Sequence, residues 1–130
     1  MREARGVANK RHPSRPCTVL IVEDDAGIRD VCAEALTDEG YVVRAAGDGV
    51  AGLAQLDGDP DVIVLDLAMP RMDGWEFLRR LREKQGHERT PVLLLTATGS
   101  SGASLAGAQA ILRKPFVLEA LLRHVADLAH

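Results

Sequence analysis

Two short stretches, "DVIVL" at Asp61–Leu65 and "PVLLLT" at Pro91–Thr96, are apolar at every position between their ends. A strand with one wet face alternates polar and apolar residues, so an unbroken apolar run this short fits a strand covered on both faces. Coverage on both faces needs helices above and below the sheet. Parallel strands joined by right-handed helical crossovers supply them, and an antiparallel meander does not.

The rest of the chain repeats that arrangement. From Thr18 onward an apolar run followed by an amphipathic segment occurs five times. "TVLIV" reads as a strand, and Ile28, Val31, Cys32, Ala35 and Leu36 then follow helical spacing until Gly40 stops the helix. "YVVRA" carries a polar position and reads as an edge strand, followed by a short helix near Val50 to Leu56. Trp75, Leu78 and Leu81 give the next helix its apolar stripe, with Arg79, Arg80, Arg82 and Lys84 on the wet side. A last strand at "AILR" precedes a helix in which Leu118, Leu121, Leu122 and Val125 share one side. The fold class is therefore α/β, a (βα)5 three-layer sandwich around a parallel five-stranded sheet. With aromatics at only 3% of the chain, its core must be built from Val, Leu, Ile and Ala.

Two domain segments are expected: a flexible basic leader at 1–17 and one folded domain at 18–130. Met1 to Pro16 carries Arg2, Arg5, Lys10, Arg11 and Arg15 against Glu3, so a chain at −3 overall has a distinctly acidic body. Duplex binding rests on cations meeting phosphates, which argues against direct nucleic-acid contact. No apolar run approaches the ~18 residues of a membrane span, and no secretory segment opens the chain, so a cytoplasmic location is expected. Cys17 and Cys32 show no metal or redox spacing and are read as reduced. His12, His87, His124 and His130 are read as surface residues.

In doubly wound sheets, chemistry gathers at the carboxyl ends of the strands. Glu23, Asp24 and Asp25 follow the first strand, Asp66 ends the third, Thr96 the fourth, and Lys114 follows the fifth. Asp25 is read as a helix cap. The other three acids repel one another unless positive charge lies among them. Lys114 supplies one charge, and a divalent ion brings the formal sum to zero. Oxygen donors of this kind suit Mg²⁺, with Mn²⁺ as an alternative.

The motifs "IVEDD", "DLAMPRMDG", "LTA" and "KPF" together make the chain resemble the response-regulator receiver domain of two-component signalling. That resemblance runs from Thr18 to about Leu128. It implies a flavodoxin-like fold with strand order 2-1-3-4-5 and phosphorylation of Asp66 by a histidine kinase or phosphotransfer protein. It also implies metal contacts from Asp24, Asp66 and the backbone carbonyl of Ala68, with Glu23 acting through water, and a cis Lys114–Pro115 bond. Lys114 and Thr96 would contact the phosphoryl group. Such a protein catalyses only its own aspartyl phosphorylation and dephosphorylation, and switches the binding of an output protein.

Two departures from the family pattern stand out. Ile111 occupies the switch position where receivers usually carry an aromatic, and the segment between Thr96 and Lys114 is short and glycine-rich. A fourth helix there is expected to be frayed or partly a loop, and phosphorylation is expected to order residues 98–108. These departures support an alternative, a receiver-like interaction module that works without phosphorylation. A haloacid-dehalogenase-like phosphohydrolase needs an acid where Ala68 stands. A flavin mononucleotide binder would set its phosphate against Glu23, Asp24 and Asp25. The chain is read either as a stand-alone receiver, which the last helix ending near His130 mildly favours, or as a domain cut from a longer protein, and a monomer or weak dimer is expected.

Overall fold

The computed structural model describes residues 16–69, 71–97 and 107–129. Five strands, β1 (Thr18–Val22), β2 (Val42–Ala46), β3 (Val62–Asp66), β4 (Val92–Thr96) and β5 (Ala110–Arg113), form one sheet in the order β2-β1-β3-β4-β5. Every pairing is parallel. Helices α1 (Ala26–Asp38), α2 (Gly49–Ala54), α3 (Gly74–Glu83) and α4 (Leu118–Ala129) provide the crossovers, with a 3₁₀ turn at Gln55–Gly58 after α2.

The unbroken apolar strands have the cause inferred from their sequence. All residues of β1, β3 and β4 are buried, and alternate side chains enter separate cores. Leu20, Val22, Ile63, Leu65 and Leu94 point toward Phe77, Leu78 and Leu81 of α3. Val19, Ile21, Val64, Leu93 and Leu95 point toward Cys32 and Leu36 of α1 and Leu121 and Val125 of α4. Truncating one such leucine to alanine costs about 2–5 kcal/mol, so each face is individually indispensable. β2 has one neighbour and is largely exposed, as its polar arginine implied.

Local signals set the helix ends. Asp25 caps α1 by accepting the Ile28 amide at 3.0 Å. Asp48 caps α2 through the Ala51 amide at 2.8 Å, and Asp73 caps α3 through the Glu76 amide at 2.9 Å. Each short acid satisfies a donor that the first helical turn leaves unpaired. Cys17 and Cys32 are free thiols, with Cys32 buried on the inner face of α1.

Four sequence assignments need correction. Trp75 is exposed, and the apolar stripe of α3 runs through Gly74, Phe77, Leu78 and Leu81. Stripes through 75 or through 74 and 77 share Leu78 and Leu81, and the larger ring was the misleading guide. Val31 faces solvent one position off the Cys32–Leu36 row, and Leu118 lies at the rim of the α4 stripe. His87 is buried, because the turn after α3 folds over the amino ends of β3 and β4. Its Nδ1 lies 2.7 Å from Thr90 Oγ1, and its Nε2 lies 3.6 Å from Asp59 Oδ1. The leader up to residue 15, His12, His130 and residues 98–106 of the expected fourth-helix region lie outside the described residues. No helix among the described residues is long and apolar enough to cross a membrane.

Candidate functional site

Because all the strands are parallel, their carboxyl ends open on one edge, and the polar residues that follow them meet there. Glu23, Asp24 and Asp66 place one carboxylate oxygen each within 4.8 Å of one another. Glu23 is fully buried and Asp66 nearly so, whereas Asp24 is open to solvent.

Backbone contacts fix these groups. The Glu23 amide continues the β1 ladder onto the Ala46 carbonyl at 3.0 Å, and the guanidinium of Arg29 donates to the Glu23 carbonyl at 2.8 Å. Glu23 Oε2 accepts the Asp25 amide at 3.1 Å. Its other oxygen, Oε1, faces the Lys114 ammonium at 3.0 Å. Lys114 lies also 3.4 Å from Asp66 Oδ1, which accepts the Ala68 amide at 3.2 Å. The Lys114 amide donates to the Thr96 carbonyl at 2.7 Å, and the Lys114–Pro115 bond is cis.

One cation among three acids does not balance them. Burial raises the Asp66 carboxyl, and the neighbouring Glu23 charge raises it further, from 3.8 to about 7. Burial pulls the Lys114 ammonium down, but the Glu23 and Asp66 carboxylates outweigh it, and the net shift is upward. Lys114 stays charged while Asp66 sits at the edge of ionisation. The site accepts further positive charge, and its all-oxygen donor set suits a hard divalent cation.

Thr96 is buried at the same edge, its hydroxyl 3.4 Å from the Ala97 carbonyl, a weak contact that leaves the hydroxyl easy to redirect. Ala68 follows Asp66 on the exposed side of the loop. That loop is drawn tight, since the Gly74 amide donates to the Leu67 carbonyl at 2.8 Å. A Cβ on Gly74 would lie 2.7 Å from the Asp66 carbonyl oxygen and 2.7 Å from Leu67 Cα. Only glycine allows α3 to start this close to the end of β3. Ile111 is half-buried against the α3 core.

Sequence reasoning therefore placed Glu23, Asp24, Asp66, Thr96 and Lys114 on one edge, where the structure brings them together. It missed Arg29 on the Glu23 carbonyl and the ion pair that Arg71 makes with Asp48 at the amino end of α2. Arg29 looked like any wet-face arginine of α1. Asp48 sits in "GDG", a capping signal that says nothing of a second partner. Beside Lys114 an apolar groove of about 960 Å³ runs along α1, lined by Ile28, Val31, Cys32, Ala97 and Phe116.

Comparison with known proteins agrees with this geometry. The family model described as response regulator receiver domain matches residues 19–126. The response regulator MprA of Mycobacterium ulcerans (strain Agy99) is 42% identical over 109 residues, 80% of this chain and 46% of that protein. MprA of Mycobacterium sp. (strain KMS) is 41% identical over 112 residues, 82% of this chain and 48% of that protein. The chain thus spans about half the length of the curated relatives it matches. Among solved structures, the chemotaxis protein CheY4 of Vibrio cholerae superposes with a TM-score of 0.81 at 35% identity, covering 88% of this chain and 99% of that one. The receiver domain of NtrX from Brucella abortus gives 0.79 at 28% identity, covering 85% and 97%.

Proposed function

Because the chain belongs to the response regulator receiver domain family of two-component signalling, we propose that Asp66 accepts a phosphoryl group from the phosphohistidine of a histidine kinase or phosphotransfer protein. The observation that carries this reading is the placement of a nearly buried carboxylate at the end of a fully buried strand, 3.4 Å from an ammonium. Such a strand cannot yield, so the carboxylate is held in one orientation for in-line attack.

In the reaction, an oxygen of ionised Asp66 forms a bond to phosphorus as the phosphorus–nitrogen bond to the donor imidazole breaks. The electron pair of that bond leaves with the imidazole. Asp66 needs no general base, because it attacks as the carboxylate. Lys114, paired with Glu23 at 3.0 Å, is held where its charge offsets that of the incoming phosphoryl oxygens. Thr96 turns its hydroxyl from Ala97 toward the same oxygens. Asp24, Asp66 and the Ala68 carbonyl would hold Mg²⁺ or Mn²⁺, with Glu23 acting through water. That ion, when bound, neutralises charge on the transferring group and lets the acids sit together. The chemistry is confined to the protein's own aspartate, so the chain acts as a switch and not as an enzyme on external substrates.

The apolar groove along α1 borders Lys114, and we assign it to the donor's approach. Phosphorylation then alters binding of an output protein. With Ile111 at the switch position, the signal leaves without an aromatic rotor. That same residue favours a second reading, an interaction module indifferent to phosphorylation.

One experiment separates the two. Acetyl phosphate with Mg²⁺ adds about 80 Da, one phosphoryl group, to the wild-type chain and nothing to Asp66→Asn. An unmodified wild type selects the phosphorylation-independent reading.

A further inference from the structure

Arg71 has φ of 68°, in the left-handed region that residues bearing a Cβ rarely enter. Backbone in that region persists where its surroundings hold it, and such positions cluster at functional loops. Arg71 belongs to the loop between β3 and α3, five residues after Asp66. Its guanidinium forms an ion pair with Asp48 at the amino end of α2.

Asp48 is suited to this second task. Its Oδ1 accepts the Ala51 amide at 2.8 Å while Oδ2 takes Arg71. The Ala51 hydrogen bond, together with Arg71, holds the Asp48 carboxyl below the usual carboxylate range. A second contact joins the same two segments. Met72 is buried against Gly49, so closely that a Cβ there would lie 2.9 Å from Met72 Sδ. The loop is thus fastened at both its tip and its base. Arg71 and Met72 fix the tip on α2, and the Gly74 amide on the Leu67 carbonyl closes the base at 2.8 Å.

We infer that Arg71 and Asp48 form a latch that positions the loop running from the end of β3 past Ala68, so that the Ala68 backbone is set beside Asp66 before any cation or phosphoryl group arrives. Arg71 is a positioning residue. Its side chain is 72% exposed, so the pair adds little to global stability. Its effect lies in the orientation of the loop, much as outer-shell partners tune metal ligands. The inference rests on the assignment of Asp66 and Ala68 to the cation and phosphoryl site.

Three variants separate charge pairing from backbone conformation. Asp48→Asn keeps the helix cap, since asparagine caps as well as aspartate, but removes the charge. Arg71→Gly relieves the left-handed backbone but removes the guanidinium. Arg71→Lys retains the cation. Residue-resolved amide exchange of the metal-free chain is the first readout, and Mg²⁺ affinity from calorimetry is the second. The latch predicts faster exchange at Ala68 and Gly74 in Asp48→Asn and Arg71→Gly, and Mg²⁺ binding weakened about tenfold in both. Arg71→Lys stays near wild type in both readouts, and thermal midpoints stay within a few degrees of wild type throughout. Wild-type exchange at these amides, or wild-type Mg²⁺ affinity, in Arg71→Gly or Asp48→Asn overturns the latch. If the wild type itself takes up no Mg²⁺, the assignment of the cation site fails, and exchange alone then decides the latch.

Discussion

Replacing Asp66 with asparagine should make the metal-free protein more stable. The wild-type carboxyl is raised by burial and by Glu23 from 3.8 to about 7, so the folded protein holds that proton more tightly than the unfolded chain does. A group raised in this way contributes its full stabilisation below about pH 4, and the contribution is lost as pH rises through about 7. At about 1.36 kcal/mol per unit, ionising Asp66 in the empty site costs at most about 4 kcal/mol by pH 8. The asparagine side chain would avoid that cost while its oxygen still accepts the Ala68 amide. Its NH₂ group would take the place of Oδ2, away from the Oδ1 contacts to Ala68 and Lys114, and as an imperfectly satisfied buried donor it returns about 1–2 kcal/mol. A net gain of about 2–3 kcal/mol should raise the thermal midpoint by roughly 6–12 °C for a chain of this size. The assay is thermal unfolding of both proteins in a chelator from pH 4.5 to 8. The gap should open as pH rises and close in millimolar Mg²⁺. A gap that ignores pH, or an asparagine variant less stable than wild type at pH 8, refutes the electrostatic reasoning.

Gly74→Ala should destabilise the protein by about 1–3 kcal/mol, although alanine is otherwise the better helix former. The new Cβ meets backbone at 2.7 Å and cannot be accommodated by turning a side chain, so equal or greater stability by denaturant melts contradicts the close approach. Lys114→Met removes a cation 3.0 Å from Glu23 and 3.4 Å from Asp66. At pH 8.5 calorimetry should show Mg²⁺ binding several-fold tighter while intact mass shows slower phosphorylation by acetyl phosphate, because the same charge repels the ion and attracts the phosphoryl group. Weaker Mg²⁺ binding would mean that Lys114 chiefly props up the acids.

The sequence was informative wherever one residue's environment depends on near neighbours along the chain. "DVIVL" and "PVLLLT" declare two-sided burial by themselves, and parallel strands then deliver Glu23, Asp24, Asp66, Thr96 and Lys114 to one edge without further information. Asp25 announces its cap by its position before the α1 stripe. Legibility ended where distant segments decide. His87 lies in a polar turn with no periodicity, and its burial comes from that turn closing over β3 and β4. Trp75 and Phe77 fit overlapping stripes, and only the sheet beneath selects between them. The left-handed conformation of Arg71 follows from docking on α2, which no local pattern encodes.

The central claim is that the crowded acids are tolerated because a divalent cation belongs among them. Calorimetric titration of Mg²⁺ into the metal-free wild type tests it most directly. One ion per chain should bind, about tenfold more weakly at pH 6 than at pH 8, because below a carboxyl pKa of about 7 the ion must displace the Asp66 proton. Asp66→Asn should lose most of that binding. Absence of binding, or equal affinity at both pH values and in the variant, would contradict it.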